Sequence, residues 1–131
     1  MKKLIAILAV SLLLFGAVAA YADPMDNFVY GLSSGEQVSS AAVATGASLI
    51  TGVLVLTDGT NAGTIIVYDN TSAAGTKVFE AVVTGASNFG GATFEIPIYC
   101  ATGIYGAISG TGASFIIWYR KASSKYKIPV Q

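Results

Sequence analysis

The chain has no histidine, a single cysteine and 3 prolines in 131 residues, and only 11% of it is charged. Typical soluble proteins carry about 25% charged residues. Without histidine the commonest general base and the commonest metal ligand are both missing, and no Ser–His or Cys–His nucleophile can be built. One cysteine excludes an internal disulfide and any multi-cysteine zinc or iron–sulfur site. The 7 basic and 7 acidic residues balance to a formal charge of 0, so nothing electrostatic points to nucleic acid. This inventory implies no metal, no cofactor and no enzyme. In quantity the chain has apolar residues, 53% of the total, and 15 glycines. That is the composition of a small, apolar, β-rich domain with many turns.

The first 22 residues read as an export leader. Lys2 and Lys3 precede an uncharged run from Leu4 to Val18, and the segment ends on small residues at Ala17, Ala19, Ala20 and Ala22. Ala20-Tyr21-Ala22 fits the small-x-small pattern of signal cleavage. Leu4 to Ala22 is also long enough to cross a bilayer as an anchor, but an anchor has no need of the small-residue end. No cysteine stands near the junction for lipid attachment, and no Gly-Phe-x-x-x-Glu-like junction of a type IV pilin precedes the apolar run. The expectation is a cleavable signal helix over residues 1–22 and a secreted mature chain, 23–131, that does not span a membrane. Its destination is the periplasm, the cell surface or the medium. Removing the leader leaves 5 basic and 7 acidic residues, a formal charge of −2, with Arg120, Lys121, Lys125 and Lys127 concentrated near the end.

Apolar residues in the mature chain alternate with a period of two, and helical periodicity is hard to find. Val53-Leu54-Val55-Leu56-Thr57 runs into the turn signal Asp58-Gly59, and Ile65-Ile66-Val67-Tyr68 is closed by Asp69-Asn70-Thr71-Ser72. Phe79, Ala81 and Val83 share one face of the next run. Phe94, Ile96, Ile98 and Cys100 share a face of the one after, opposite Thr93, Glu95, Pro97 and Tyr99. Eight strands fit: 28–32, 37–44, 47–57, 63–69, 76–84, 92–98, 102–109 and 113–120. Gly85 to Gly91 reads as a loop, Gly52 as a bulge or bend, and Pro97 as a position at an edge, bulge or solvent. Turn signals recur at roughly the 8–12-residue spacing of all-β folds. The expected fold is all-β, a single antiparallel β-sandwich of jelly-roll type spanning 23–131. Residues 23–32 would form an assembly arm and 121–131 a basic tail.

Gly52-Val-Leu-Val-Leu, Gly63-Thr-Ile-Ile-Val-Tyr-Asp-Asn-Thr-Ser, Gly75-Thr, Ile96-Pro97-Ile98, Gly103-Ile104-Tyr105 and Ile116-Ile117-Trp118-Tyr119 together resemble small β-sandwich proteins among phage virion and prophage-encoded structural proteins. The resemblance covers about residues 50–119 and consists of strand and turn elements. It implies a non-enzymatic accessory role in an assembly and carries no catalytic residue. An export leader is not part of that pattern.

Each chemically capable residue also has a plainer structural role. Asp58, Asp69, Glu80 and Glu95 are the carboxylates that a glycosidase pair would need. The first two sit in turn contexts, where aspartate bonds its own backbone, and the others at outward strand positions. Asp58-Gly59-Thr60-Asn61 and Asp69-Asn70 offer oxygens to calcium but complete no calcium loop. Gly75-Thr76-Lys77 lacks the spacing of a phosphate-binding loop. Asn70-Thr71-Ser72 is a formal glycosylation sequon and reads as a turn, and Ser123, Ser124 and Lys125 as a solvated tail. Cys100 reads as a buried small apolar residue, with an intermolecular disulfide as the alternative.

What remains is apolar excess. Large residues occupy both faces of strands, as at Ile66 with Val67 and at Ile116 with Ile117, more than one core needs. On an exported β domain this points to burial against another copy. The expected function is therefore a secreted structural protein that self-associates as a homo-oligomer into a filament, sheath or surface assembly. Phe28, Val29, Tyr30, Leu32, Tyr126, Ile128 and Val130 are the candidate assembly residues, since alternating apolar ends can add a strand to a neighbour's sheet. The alternatives are a secreted carbohydrate-binding or adhesive module, with Tyr68, Tyr99, Tyr105 and Trp118 stacking on a glycan, and a phage-derived virion accessory protein.

Overall fold

A computed structural model of the chain describes residues 31–122. The expected leader 1–22, most of the arm and most of the basic tail lie outside the described residues. Those residues are all-β, with eight strands and no helix: β1 (Leu32–Ser33), β2 (Ala41–Thr45), β3 (Ser48–Leu56), β4 (Gly63–Asp69), β5 (Thr76–Val83), β6 (Phe89–Cys100), β7 (Gly103–Ser109) and β8 (Ser114–Lys121). All pairings are antiparallel. They make two four-stranded sheets, sheet A in the order β1-β8-β3-β6 and sheet B in the order β2-β7-β4-β5. Only β4 and β5 are consecutive strands of one sheet; every other connection changes sheet.

The alternation of apolar residues decides which face each strand turns inward. On β3, Ser48, Ile50, Val53 and Val55 are buried, while Leu49, Leu54 and Leu56 are half-exposed. The phase change after Ile50 comes from an extra residue at Thr51-Gly52, where the pairing steps from Ile50↔Tyr119 to Gly52↔Trp118. This is the irregularity that Gly52 implied. Inward residues of both sheets form one core, with Ile50, Val53, Val55, Phe115 and Ile117 from sheet A meeting Ile65, Val67 and Ile104 from sheet B. Phe79 on β5 and Phe94 on β6 join the two sheets at one side, edge to face, with ring centroids 5.3 Å apart.

The structure corrects several strand boundaries. Of 28–32 only Gly31 and Leu32 lie among the described residues, and Leu32 starts a two-residue strand with Ser33. The run 37–44 shortens to β2, and Gln37 instead forms an isolated bridge with Phe115. β6 starts at Phe89 rather than 92, running through the glycines read as a loop. A Cβ on Gly91 would lie 2.1 Å from the Val53 carbonyl oxygen, so the missing side chain is what lets β6 press against β3. Ile96 does not share the inward face of Phe94 and Cys100: it is 87% exposed. The pairing jumps from Ile50↔Ile98 to Gly52↔Thr93, leaving three more residues on β6 than on β3, and strict alternation fails there. Pro97 lies in that irregularity on an edge strand, where its missing N–H costs no ladder bond.

Phe115 is the largest fully buried side chain. Across the core a Cβ on Gly106 would come within 2.5 Å of its Cζ and 2.6 Å of its Cε2. The ring is enclosed and cannot swing away. Gly106→Ala is therefore expected to destabilise the fold by about 1–3 kcal/mol, the usual cost of overpacking. A urea titration with a lowered midpoint and unchanged slope would show it.

Candidate functional site

The candidate site is the outer face of sheet A. Ile116, Trp118 and Arg120 alternate with the buried Phe115 and Ile117 on β8, and so point away from the core. The register sets Leu56 between Ser114 and Phe89, Leu54 between Ile116 and Gly91, and Gly52 between Trp118 and Thr93. Three adjacent strands thus present Leu54, Leu56, Ile116, Trp118 and Phe89 outward, with Trp118 38% and Phe89 68% exposed. The indole of Trp118 lies beside Gly52, where an added Cβ would stand 3.3 Å from its Cε3. Between Trp118 and Phe89 runs a groove of about 500 Å3 over Val53, Leu54 and the Gly90–Thr93 stretch of β6. The Thr93 hydroxyl and the indole N–H of Trp118 are the side-chain polar groups of its lining.

Charge is confined to the ends of this face. At one end the Ser114 hydroxyl donates to Glu36 Oε1 at 2.6 Å. At the other stand the exposed Glu95 on β6 and Arg120 on β8, whose Nε has no hydrogen-bond partner among the described residues. The ion pair found among those residues is elsewhere, between Lys77 and Glu80 on β5. That pair is exposed and adds little stability, although the Glu80 carboxylate holds the Lys77 ammonium pKa above its ordinary value. With Thr64 paired to Val82 and Ile66 paired to Glu80, the outer face of sheet B is the more polar of the two.

The structure divides the candidate stacking residues between the two sheets. Tyr68 and Tyr105 are cross-strand partners on sheet B, whereas Tyr99 and Trp118 belong to β6 and β8 of sheet A, so the four make no single platform. Of the candidate assembly residues, Leu32 pairs with Tyr119 at the edge of sheet A and is 40% exposed. Phe28, Val29, Tyr30, Tyr126, Ile128 and Val130 lie outside the described residues. Phe89 was absent from the sequence candidates because the glycines after it read as a loop. Its signal was the alternation Phe89, Gly91, Thr93, hidden by residues without side chains.

Hydrogen bonds from turn backbone account for two of the four carboxylates, Asp58 within its own turn and Asp69 across to another. Asp58 Oδ1 accepts from the Thr60 and Asn61 backbone N–H groups, and Oδ2 from Asn61 Nδ2. The Asn61 bonds, backbone and side chain, and then the Thr60 bond hold its carboxyl below the usual range. Asp69 accepts from the backbone N–H groups of Ala101, Thr102 and Gly103, tying the end of β4 to the β6–β7 turn. No group of three metal-ligating side chains occurs among the described residues.

Cys100 is buried in the core as a free thiol. Burial, with a smaller push from Asp69, raises its pKa to about 11. Cross-linking to another chain through this sulfur requires the core to open. A disulfide reagent such as dithionitrobenzoate at pH 8 is expected to label the native protein at least about a hundredfold more slowly than the urea-unfolded one. Equal rates would show an accessible thiol.

No family model, curated protein or solved structure matches the chain, so what this face does rests on its own chemistry.

Proposed function

We propose that the chain is a secreted structural protein, built on a jelly-roll β-sandwich, that self-associates into a filament, sheath or surface assembly. The jelly-roll reading rests on the strand orders β1-β8-β3-β6 and β2-β7-β4-β5, with nearly every connection crossing between sheets. One observation carries the functional reading: sheet A presents a continuous apolar row, Leu54, Leu56, Ile116, Trp118 and Phe89, on the side away from its core. A protein that leaves such a surface in water is exposed to association, and burial against a partner removes it. Export and the absence of histidine support a role that is not catalytic. The resemblance to phage structural proteins points the same way, and a virion accessory role is the variant of this proposal in which the assembly is a phage particle.

The arm extends the proposal to connection between subunits. Among the described residues β1 holds Leu32 and Ser33 against β8, and Phe28, Val29 and Tyr30 come just before it in the chain. Added as a strand to a neighbour, that segment would supply backbone bonds, with alternate side chains setting the register.

Protein expressed from the full sequence is expected to begin at Asp23 by intact mass. It should scatter light as a multimer and show ordered assemblies by negative-stain microscopy. Deleting 23–31 should leave the melting transition within a few degrees and abolish the extended assemblies. A monodisperse monomer at high concentration in every salt condition would refute the proposal. Unchanged assembly after the deletion would remove the arm as connector.

A further inference from the structure

The outer face of sheet A is complementary to itself. On β8 the charged ends of the face, Arg120 and the Ser114–Glu36 pair, each lie three residues from Ile117. At about 3.3 Å per strand residue, Ser114 and Arg120 are roughly 20 Å apart. Ile116 and Trp118 lie one residue to either side of Ile117. β3 repeats this arrangement about Val53, the residue paired with Ile117, with Leu54 on one side and Gly52 on the other. On β6 the same level is Ala92, flanked by Gly91 and Thr93. Turning the face end over end about the line Ala92–Val53–Ile117 therefore sets Arg120 against Glu36, Trp118 against Ile116, and Leu54 against the side-chain-free Gly52.

From this geometry we infer that two copies of the chain pair face to face through sheet A. The strands run antiparallel across the interface, and the two-fold axis crosses them at the level of Ala92, Val53 and Ile117. The inference rests on the self-association reading and names its contact surface. A two-fold contact requires a patch that fits itself, and the β8 row of this patch does so in charge, with Arg120 against Glu36, while on β6 the exposed Glu95 comes opposite Phe89. Arg120 and Glu36 both bring charge that is not neutralised by an ion pair among the described residues. Glu36 Oε1 already holds the Ser114 hydroxyl, so Oε2 is the oxygen left for a guanidinium, whose planar donors suit a carboxylate. Each pair forms twice, once on either side of the axis, and the wrong orientation would set like charges together. A small-molecule ligand fits less well, because the groove offers one hydroxyl and one indole N–H where ligand sites place several convergent polar groups.

The chain contains one tryptophan, and Trp118 lies at the centre of this face, so its emission reports the contact without any substitution. As protein concentration rises through the mass transition seen by light scattering, the Trp118 emission should move to shorter wavelength. Iodide quenching should fall in parallel. Glu36→Arg and Arg120→Glu should each raise the concentration needed for pairing by at least about tenfold at low salt. The double variant, which exchanges the two charges, should bring it back to within about threefold of the original. Should Glu36→Arg fail to fold, Glu36→Gln keeps an acceptor for Ser114 and removes the charge, and it too should weaken pairing. Mass growth with unchanged Trp118 emission and quenching would overturn the inference and leave self-association intact through another surface. Loss of pairing in both single variants without recovery in the double would overturn the axis proposed here. A monomer at every concentration would refute the self-association reading as well.

Discussion

The fold depends on how Phe115 is held. Its N–H donates to the Gln37 carbonyl and its carbonyl accepts from the Gln37 N–H, at 2.9 and 2.8 Å. The backbone at this point thus ties β8 to the segment leading from β1 to β2. Its side chain crosses the core and meets β7 at Gly106, a place where no Cβ would fit. One residue therefore fixes the register of sheet A's edge, the spacing of the two sheets and the path of the chain between them. Ile50, Val53, Val55, Ile65, Val67 and Ile104 pack around the same centre. Each gains about 1.5–3 kcal/mol from full burial, provided that the ring holds the sheets at the distance at which they meet.

The fold was largely legible in the sequence because the inner rows obey period two. Val53 and Val55, Ile65 and Val67, and Phe115 and Ile117 all alternate with residues left half-exposed or exposed, and the strands containing them end at or within a residue or two of the boundaries their turn signals marked. Legibility failed where side chains are missing or the ladder is irregular. Gly90 and Gly91 look like loop residues to any reading based on propensity, yet they belong to β6, where a side chain on Gly91 would meet the β3 backbone and one on Gly90 the Val83 side chain of β5. Ile96 sits at an apparently inward position, and only the pairing with β3 reveals the extra residues that turn it out. The site was less legible than the fold. Two-sided hydrophobicity announced a surface in need of cover, but residues from β3, β6 and β8 form that surface, and nothing local in the sequence says that those three strands are neighbours.

Tyrosines invite a reading as a binding platform, and here topology decides against a single one. Tyr68 and Tyr105 become partners because β4 and β7 are adjacent in sheet B, while Tyr99 and Trp118 go to sheet A with β6 and β8. The carboxylates behave similarly. Asp58 and Asp69 are spent on backbone N–H groups, which is what places the β3–β4 and β6–β7 turns. The side chains that look most chemical in the sequence thus serve the architecture. The residues that look like ordinary strand filling, Leu54, Ile116 and Phe89, make the surface that no other part of the described residues covers.

The edges of the two sheets narrow the ways in which copies can meet. An open edge offers unpaired backbone groups to any extended chain, and native proteins shorten, bulge or charge their edges to prevent it. Sheet A ends on one side in β1, only two residues long, and on the other in β6, which is interrupted opposite Thr51 and carries Pro97. Sheet B ends in β2, five residues with a register shift at Ala42/Ala44, and in β5, eight residues carrying the Lys77–Glu80 pair. Three of the four edges are poor templates, and the fourth is charged. Lateral growth by direct edge pairing of whole subunits is therefore disfavoured, and the apolar face of sheet A is the surface with most to gain from contact. A two-fold pairing through that face consumes it and closes. Extension beyond a pair would then require a second, non-closing contact, and β5, eight residues long, is an edge on which an added strand could form one. In the proposed assembly face and arm are thus not competing explanations: the first would make a pair, and the second would turn pairs into a polymer.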